Sequence, residues 1–589
     1  MAGSLEMPES GVSAVGERLS ARLRSQPLLA GIGEAAMESL AAAVEWRSLA
    51  AGQILFREGD PGDAMYIVDS GCLAVMRNGG NGDAVIGVIR AGQTVGEMAL
   101  LSGDPRSATV AARRDSRLIR IGVETYQDLL GRHPGLALHL AAELARRLNR
   151  LTHYQPAQGL PKTLALVPLM PDLHEAVLAR RIGAEFVGAG HSMRIIGKEA
   201  AGQPVEWFNA VETANDIVLF IGEPVLSAWT RFCLRQADRI LLLTQSGRWM
   251  EASPAIPAEI TGSGRRFDLA VLHPAGSPGG QGSGSLPGME LCCHLRPHCA
   301  GDLARLARLA SGEATGLVLA GGGARSFAHI GAIRALRAAG VPLDLVGGTS
   351  MGAIIAAGVA CDWDDDELRK RLRHALVDSN PVNDYTVPWL SLTRGSKVER
   401  RLRHHFGDIA IEELWRPFFC LSSSLTRGCA VVHRSGPLWR ALRASIGIPG
   451  LLPPVAEAGE LLVDGGVVNN FPVDVMRAMH RGPVIGINVV TDHVSILPDL
   501  PHRRRSGSGW TPPIISILVR AGTMSSEAQV QLGRDQADLL IEPPLADIGL
   551  LDWQAFDRAI EIGYRSTMES LERHGRNTVP SRIGIQGLL

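Results

Sequence analysis

At 589 residues the chain is longer than one hydrophobic core can organise, so several domains are expected. Its 59 Lys and Arg nearly cancel its 60 Asp and Glu, which argues against a dedicated nucleic-acid binder or a polyanionic tail. Eight scattered cysteines and an opening stretch, MAGSLEMPESGVSAVGERLS, without an apolar signal region fit a reducing, cytoplasmic setting with free thiols.

Residues 1–25 are small, polar and without apolar pattern, and read as a disordered lead-in. Residues 26–155 break into short alternating segments between Gly/Asp turns, as in GQILFREGDPGDAMYIVDSG, the texture of a compact antiparallel β-barrel or jelly roll. A helical stretch, VETYQDLLGRHPGLALHLAAELARRLNRL, closes it. Between 160 and 300 the buried segments TLALVPL, DIVLFIG, RILLLTQ and DLAVLHP alternate with helical ones, which predicts a small parallel α/β domain. It carries no G-x-G-x-x-G and no Walker-type loop, and its chemistry is not legible. The stretch CCHLRPHC at 292–299 lacks a C-x-x-C pair, and adjacent cysteines on a strand face opposite ways, so a strand and loop are expected there rather than a zinc site. AGSPGGQGSGSLPG reads as an exposed linker.

A second α/β pattern follows. The strand GLVLA runs into Gly321, Gly322 and Gly323, then a helix with Phe327, Ile330, Ile333 and Leu336 on one stripe and Gly340 as its C′ residue. Glycine amides at a helix start can cradle an anion, either a phosphate or an oxyanion, and Arg325 could add charge. No lysine-serine pair follows, which argues against a nucleotide P-loop. The next strand, LDLVG, turns at Gly348-Thr349-Ser350-Met351-Gly352 into AIIAAGVA, the strand-turn-helix setting that a nucleophilic serine requires. The apolar run LVGGTSMGAIIAAGVACDW is read as buried helix, not a membrane span. Serine needs a base. His374, His404, His405, His433, His480, His493, His502 and His574 all follow Ser350, but none sits in a glycine-flanked strand-end motif. In LLVDGGVVNNFP, Asp464 ends an apolar strand ahead of two glycines, a setting that fits either a turn cap or a base.

Taken together, the glycine-rich loop, G-x-S-x-G and D-G-G over about residues 314–580 resemble the patatin-like phospholipase family. GLVLAGGGARSFAHIGAIRAL, LDLVGGTSMGA, PGLLPPVAEAGELLVDGGVVNNFPVDVM and ADLLIEPPLADIGLLDWQAFDRAIEIGY look most like the bacterial relatives of neuropathy target esterase. The resemblance implies an α/β hydrolase domain with a Ser350–Asp464 dyad and no histidine, an oxyanion hole from Gly321, Gly322, Gly323 and Arg325, and no metal or other cofactor for catalysis. Ser326 stands where the family's motif has glycine, which implies a slightly tighter loop.

VGEMALLSGDPRSATV, with FREGDPGDAMYIVDSG before it, resembles the phosphate-binding cassette of cyclic-nucleotide-binding domains. That likeness implies Arg106 on the cyclic phosphate, Glu97 on the ribose 2′-hydroxyl, and Gly96, Met98 and Ser107 lining the site. Cyclic AMP is taken ahead of cyclic GMP as the regulatory ligand, although no base-reading residue stands out. The whole reads as a cytoplasmic serine esterase, able to touch the inner face of a membrane, that acts on phospholipid or lysophospholipid acyl esters under cyclic-nucleotide control. Two rivals stand beside it, a non-enzymatic lipid-binding scaffold responsive to the nucleotide and a triad hydrolase with a hidden histidine. Oligomeric state, head-group preference and the sense of regulation are not encoded in any motif.

Overall fold

The computed structural model describes residues 37, 40, 44–79, 82–132, 161–173, 175–248, 255–262, 265–274, 286–379, 383–387, 391–490 and 526–577. The lead-in at 1–25, the interior of the linker and the basic loop PHRRRSGSGW lie outside them. The chain divides into two compact units.

The first unit holds the barrel and the early strands of the middle α/β region. The barrel strands Glu45–Leu49, Ile54–Phe56, Ala64–Gly79, Gly82–Arg90, Thr94–Val95 and Thr109–Gly122 pair antiparallel throughout, around the two long strands Ala64–Gly79 and Thr109–Gly122. Alternation along Thr109–Gly122 turns Val110, Ala112 and Leu118 onto Leu49, Leu55, Tyr66, Val68 and Leu73, which form the barrel core. The closing helix is seen as Val123–Arg132, and the rest of that predicted helical stretch lies outside the described residues. In the same unit Thr163–Pro168 and Met193–Ile196 flank Ile217–Ile221 in parallel. Met193–Ile196 was not expected, since MRII is too short to announce a strand.

The second unit contains the parallel strands Phe267–Leu272 and Met289–Leu295, the strand Arg239–Gln245 from Leu241 onward, and the whole of the C-terminal sheet. That sheet and its helices are labelled here in chain order: β1 Gly316–Leu319, α1 Ala328–Ala338, β2 Leu345–Thr349, α2 Met351–Ala360, α3 Ser396–Phe406, β3 Phe418–Ser424, β4 Cys429–His433, α4 Leu438–Ser445, β5 Val455–Glu457, β6 Glu460–Asp464, β7 Val484–Ile487, β8 Leu539–Ile541 and α5 Phe556–Asn577. The strand order is β5-β6-β3-β2-β1-β7-β8, with β4 hairpinned onto β3. Parallel pairing at the centre demands cover on both faces, and the central strands accordingly carry almost uninterrupted buried residues. Phe327, Ile330, Ile333 and Leu336 are buried as the helical spacing predicts, and Gly340 turns the chain at φ 68° past the end of α1. One packing device was invisible in the sequence. Added Cβ atoms on Gly331 of α1 and Gly563 of α5 would collide with the Ile560 and Ala328 carbonyl oxygens respectively, so glycine on each helix lets the two backbones close together.

Candidate active site

Two strand ends and one glycine loop converge on Ser350. β2 delivers it at φ 54°, ψ −129°, a conformation that non-glycine residues avoid at a cost of about 1–3 kcal/mol. The flanking glycines are required by contact, not by φ. A Cβ on Gly348 would sit 2.5 Å from the Leu319 carbonyl oxygen, and one on Gly352 would lie 2.6 Å from that of Ala320. The turn therefore presses against the end of β1. The Ser350 amide donates to Ser445 Oγ (3.0 Å) on α4, and the Ser350 hydroxyl donates to Asp464 Oδ2 (2.7 Å). Its position at the start of α2 puts the hydroxyl beside a helix N-terminus, where negative charge is favoured.

Asp464 ends β6, which pairs antiparallel with β3 so that Asp464 lies opposite Ser422. Its amide donates to the Gly447 carbonyl (2.9 Å), and its Oδ1 accepts from the Gly466 amide (2.8 Å). Burial pushes the carboxyl up, the Ser350 and Gly466 hydrogen bonds oppose this, and burial prevails, leaving the pKa at about 6. A Cβ on Gly465 would come 2.8 Å from Thr349 Cγ2, so the first glycine after the aspartate also serves a close approach. Among the described residues, no histidine bonds to Ser350 or Asp464. His433 pairs with Ser422 Oγ (2.7 Å), and the buried His329 donates to the Ala320 carbonyl (2.8 Å), with burial driving its pKa down to about 4.

The glycine loop leads from β1 to α1. Gly321 packs against Ser350, a Cβ there falling 3.0 Å from Ser350 Cβ, and its amide donates to the Asn470 carbonyl (3.2 Å). The Ala324 and Arg325 amides are likewise committed, to Leu550 and Gly322 carbonyls at 2.8 and 3.1 Å. The amides of Gly322 and Gly323 have no backbone or side-chain acceptor among the described residues. Arg325 Nε donates to the Ile548 carbonyl (2.7 Å), so its buried guanidinium ties the loop to the 548–550 segment. Ser326 is fully buried within the tight turn Gly323–Phe327, which accommodates its side chain at the position where the motif has glycine.

Three supporting residues went unnoticed in the sequence. Ser445 Oγ accepts from the Ser350 amide and had no motif to mark it. Asn470 donates through Nδ2 to the Gly321 carbonyl (3.1 Å), while the Asn469 carbonyl accepts from Thr349 Oγ1 (3.0 Å), so the pair in VVNNFP stitches the segment after Asp464 to both other motifs.

In the first unit, Arg106 is buried. Nη1 donates to the Gly96 carbonyl (2.9 Å), Nη2 to the Ala64 carbonyl (2.7 Å) and to Asp63 Oδ1 (3.1 Å), and the guanidinium lies 4.2 Å from the Phe56 ring centre. Gly96, at φ 84°, and Gly103, at φ 76°, bracket the short helix Glu97–Ser102. Glu97 is buried at the head of that helix, whereas Met98 (46% exposed) and Ser107 face outward.

All eight cysteines are free. In CCHLRPHC, His294 contacts His273 (2.7 Å) and the Glu412 carbonyl (2.7 Å), and no metal-ligating group forms there among the described residues. No helix of the described residues is long and apolar enough to cross a membrane.

Residues 317–477 match the family model for patatin-like phospholipase, 46–133 that for the cyclic nucleotide-binding domain, and 191–254 that for the Neuropathy Target Esterase family P-loop like domain. An NTE family protein of Mycobacterium tuberculosis is 31% identical over 586 residues, spanning 93% of this chain and 96% of its own length. The chain belongs to the NTE family. Its patatin-like domain makes it a lipid ester hydrolase, and its N-terminal barrel is a cyclic-nucleotide-binding domain. Other NTE relatives are longer. Human patatin-like phospholipase domain-containing protein 6 is 29% identical over 89% of this chain and 44% of its own, and a lysophospholipase of Aspergillus niger is 27% identical over 91% and 42%. Among solved structures, the regulatory domain of Toxoplasma gondii PKA with cAMP is 31% identical with a TM-score of 0.19, covering 21% of this chain and 46% of that one. The Thermus thermophilus catabolite activator protein is 32% identical with a TM-score of 0.21, covering 22% and 61%.

Proposed function

We propose that this NTE-family protein hydrolyses acyl esters of phospholipids or lysophospholipids with Ser350 as nucleophile and Asp464 as general base. The observation that carries the reading is the 2.7 Å hydrogen bond between a serine held at a strained turn and a carboxylate whose pKa, about 6, lies near working pH. As Ser350 Oγ forms a bond to the ester carbonyl carbon, its proton passes to Asp464. Collapse of the tetrahedral intermediate breaks the carbon–oxygen ester bond, and the proton leaves with the alcohol. Water, deprotonated by the same carboxylate, then releases the acyl group and restores the serine. Gly321, Gly322, Gly323 and Arg325 form the oxyanion loop in this reading, with the uncommitted Gly322 and Gly323 amides as its donors and Arg325 as the anchor that fixes their direction.

The Aspergillus niger relative, a lysophospholipase by name, makes lysophospholipids the first substrates to try. Tyr385 and Val387, at 71% and 79% exposed, offer apolar contact to a lipid surface and support peripheral binding at the cytoplasmic face. In this reading the domains run over 26–155, 160–300 and 314–580, limits supported by family matches at 46–133, 191–254 and 317–477 that fall inside them.

In the barrel, Arg106, Glu97, Gly96, Met98 and Ser107 take the cyclic nucleotide, with cyclic AMP ahead of cyclic GMP, and binding alters esterase activity. Support for coupling comes from within the first unit. Arg114 on the barrel strand Thr109–Gly122 reaches Thr163 Oγ1 (3.1 Å), Glu212 (3.0 Å) and Asp238 (3.6 Å) of the middle region, and Arg90 also meets Asp238 (3.3 Å). Burial pushes the Asp238 carboxyl up, but Arg114, then Arg90 and Arg113, outweigh it and hold the group well below the ordinary carboxylate range. A buried ionic junction of this kind has strict geometry and can report a change in one strand to the other region.

The test is release of fatty acid from lysophospholipid and phospholipid by the purified full chain, with and without cyclic AMP or cyclic GMP, beside Arg106→Glu. Turnover that responds to nucleotide only when Arg106 is present supports the reading. Loss of nucleotide binding in Arg106→Glu with an unchanged nucleotide response would remove the regulatory part.

A further inference from the structure

Outside the serine site, three histidines from two separate elements meet at one point. His374 lies on the π-helical turn Arg373–Asp378, which continues the helix Asp365–Leu372, and His404 and His405 occupy the last turn of α3. One potential ligand atom from each imidazole lies within 4.8 Å of the other two, the only such group of metal-ligating side chains among the described residues. The ring centres are 5.0 Å apart for His404 and His405, 5.5 Å for His374 and His405, and 6.2 Å for His374 and His404.

We propose that His374, His404 and His405 form a binding site for a first-row divalent transition metal ion of the zinc class. Four features of the cluster lead there. The donor set is three imidazoles with no carboxylate, which selects zinc, cobalt, nickel or copper over calcium or magnesium. The Nε2 of His405 is shielded from solvent and has no hydrogen-bond partner, an arrangement that a metal bond would satisfy. Two of the ligands stand at a helix C-terminus, where the backbone favours positive charge. The third stands on a π-helical turn, a local widening often associated with functional positions.

Nearby cations do not close the site. Arg371 is paired with Glu367 (2.6 Å) and donates to the His405 carbonyl (3.0 Å), and Arg373 is paired with Asp557. Three protein ligands leave a tetrahedral ion one position for water. The ion would clamp the π-helical turn to α3, and α3 packs on α4, whose Ser445 receives the nucleophile's amide. The site is thus separate from the Ser350–Asp464 pair yet one packed helix away from its support.

The experiment is titration of untagged, chelator-treated full chain with Co²⁺ followed by its visible absorption, and with Zn²⁺ by calorimetry, for the parent, His374→Asn and His404→Asn. Both replaced side chains are exposed, so folding should persist and circular dichroism checks it. The expected result is one equivalent bound without a thiolate charge-transfer band, and an affinity reduced about tenfold or more in each variant, since loss of even an indirect supporting contact commonly costs ~10–100-fold. Binding unchanged in both variants, a thiolate band signalling ligation by cysteine, or no binding by the parent would each overturn the proposal.

Discussion

The serine site and the nucleotide cassette both bury a charged side chain beside glycine, and they treat it in opposite ways. Asp464 is given two hydrogen bonds, too few to offset burial, so its proton affinity rises and it stands ready to change charge. Arg106 is surrounded by two carbonyls, a carboxylate and an aromatic face, so its cation is held in one direction. In the roles proposed for them, the group that would move a proton is left under-solvated, whereas the group that would recognise a fixed anion is held by several partners.

The sharpest way to break this comparison is at the proposed Ser350–Asp464 pair. Ser350→Ala and Asp464→Ala should each lower turnover at least about 10³-fold with the fold retained, because the members of such a unit fail together. Ester hydrolysis measured beside circular dichroism checks this, and near-normal turnover in either variant would dissolve the pair. Gly352→Ala should come next in size. Its methyl would be driven into the carbonyls at the end of β1, costing roughly 2–4 kcal/mol or preventing folding, and denaturant titration reads the loss. On the cassette side, Arg106→Gln should weaken cyclic-nucleotide binding about 100-fold by leaving the phosphate without its cation, as measured by calorimetry; an unaltered affinity would move the phosphate elsewhere.

The pH dependence of Asp464 is a finer probe. Activity should rise with pH through about 6 as the base ionises, and not near the ordinary aspartate value of 3.8. Because the folded pKa is raised, the stability contributed by the protonated group is fully present below about pH 4 and is lost as pH climbs through about 6. Asp464→Asn should therefore be more stable than the parent at pH 8 by on the order of 1–3 kcal/mol, and should lose that advantage at pH 4. Thermal melts at the two pH values separate this from a uniform effect of the substitution.

Much of the serine site was legible because glycine is informative where backbones touch. A side chain on Gly348, Gly352 or Gly465 would strike a carbonyl of a neighbouring strand, and one on Gly321 would strike Asn470 Oδ1 and crowd Ser350, so their spacing in the chain records the convergence of three loops. The strands around them were readable from continuous apolar runs such as GLVLA and LDLVG. Ser445, Asn470 and the His374–His404–His405 group were not legible, since each depends on tertiary contact between segments with no shared motif. The division of labour along the glycine loop was also hidden. The resemblance implied donors throughout Gly321, Gly322, Gly323 and Arg325, whereas the fold commits the Gly321, Ala324 and Arg325 amides to carbonyls and leaves those of Gly322 and Gly323 without an acceptor among the described residues.

The most direct measurement is covalent labelling of the purified full chain by a fluorophosphonate, which reacts only with an activated serine. The account predicts labelling in the parent, none in Ser350→Ala, and strongly slowed labelling in Asp464→Ala, with an acid limb near pH 6. Undiminished labelling of Asp464→Ala, or no labelling of the folded parent at any pH, would contradict it.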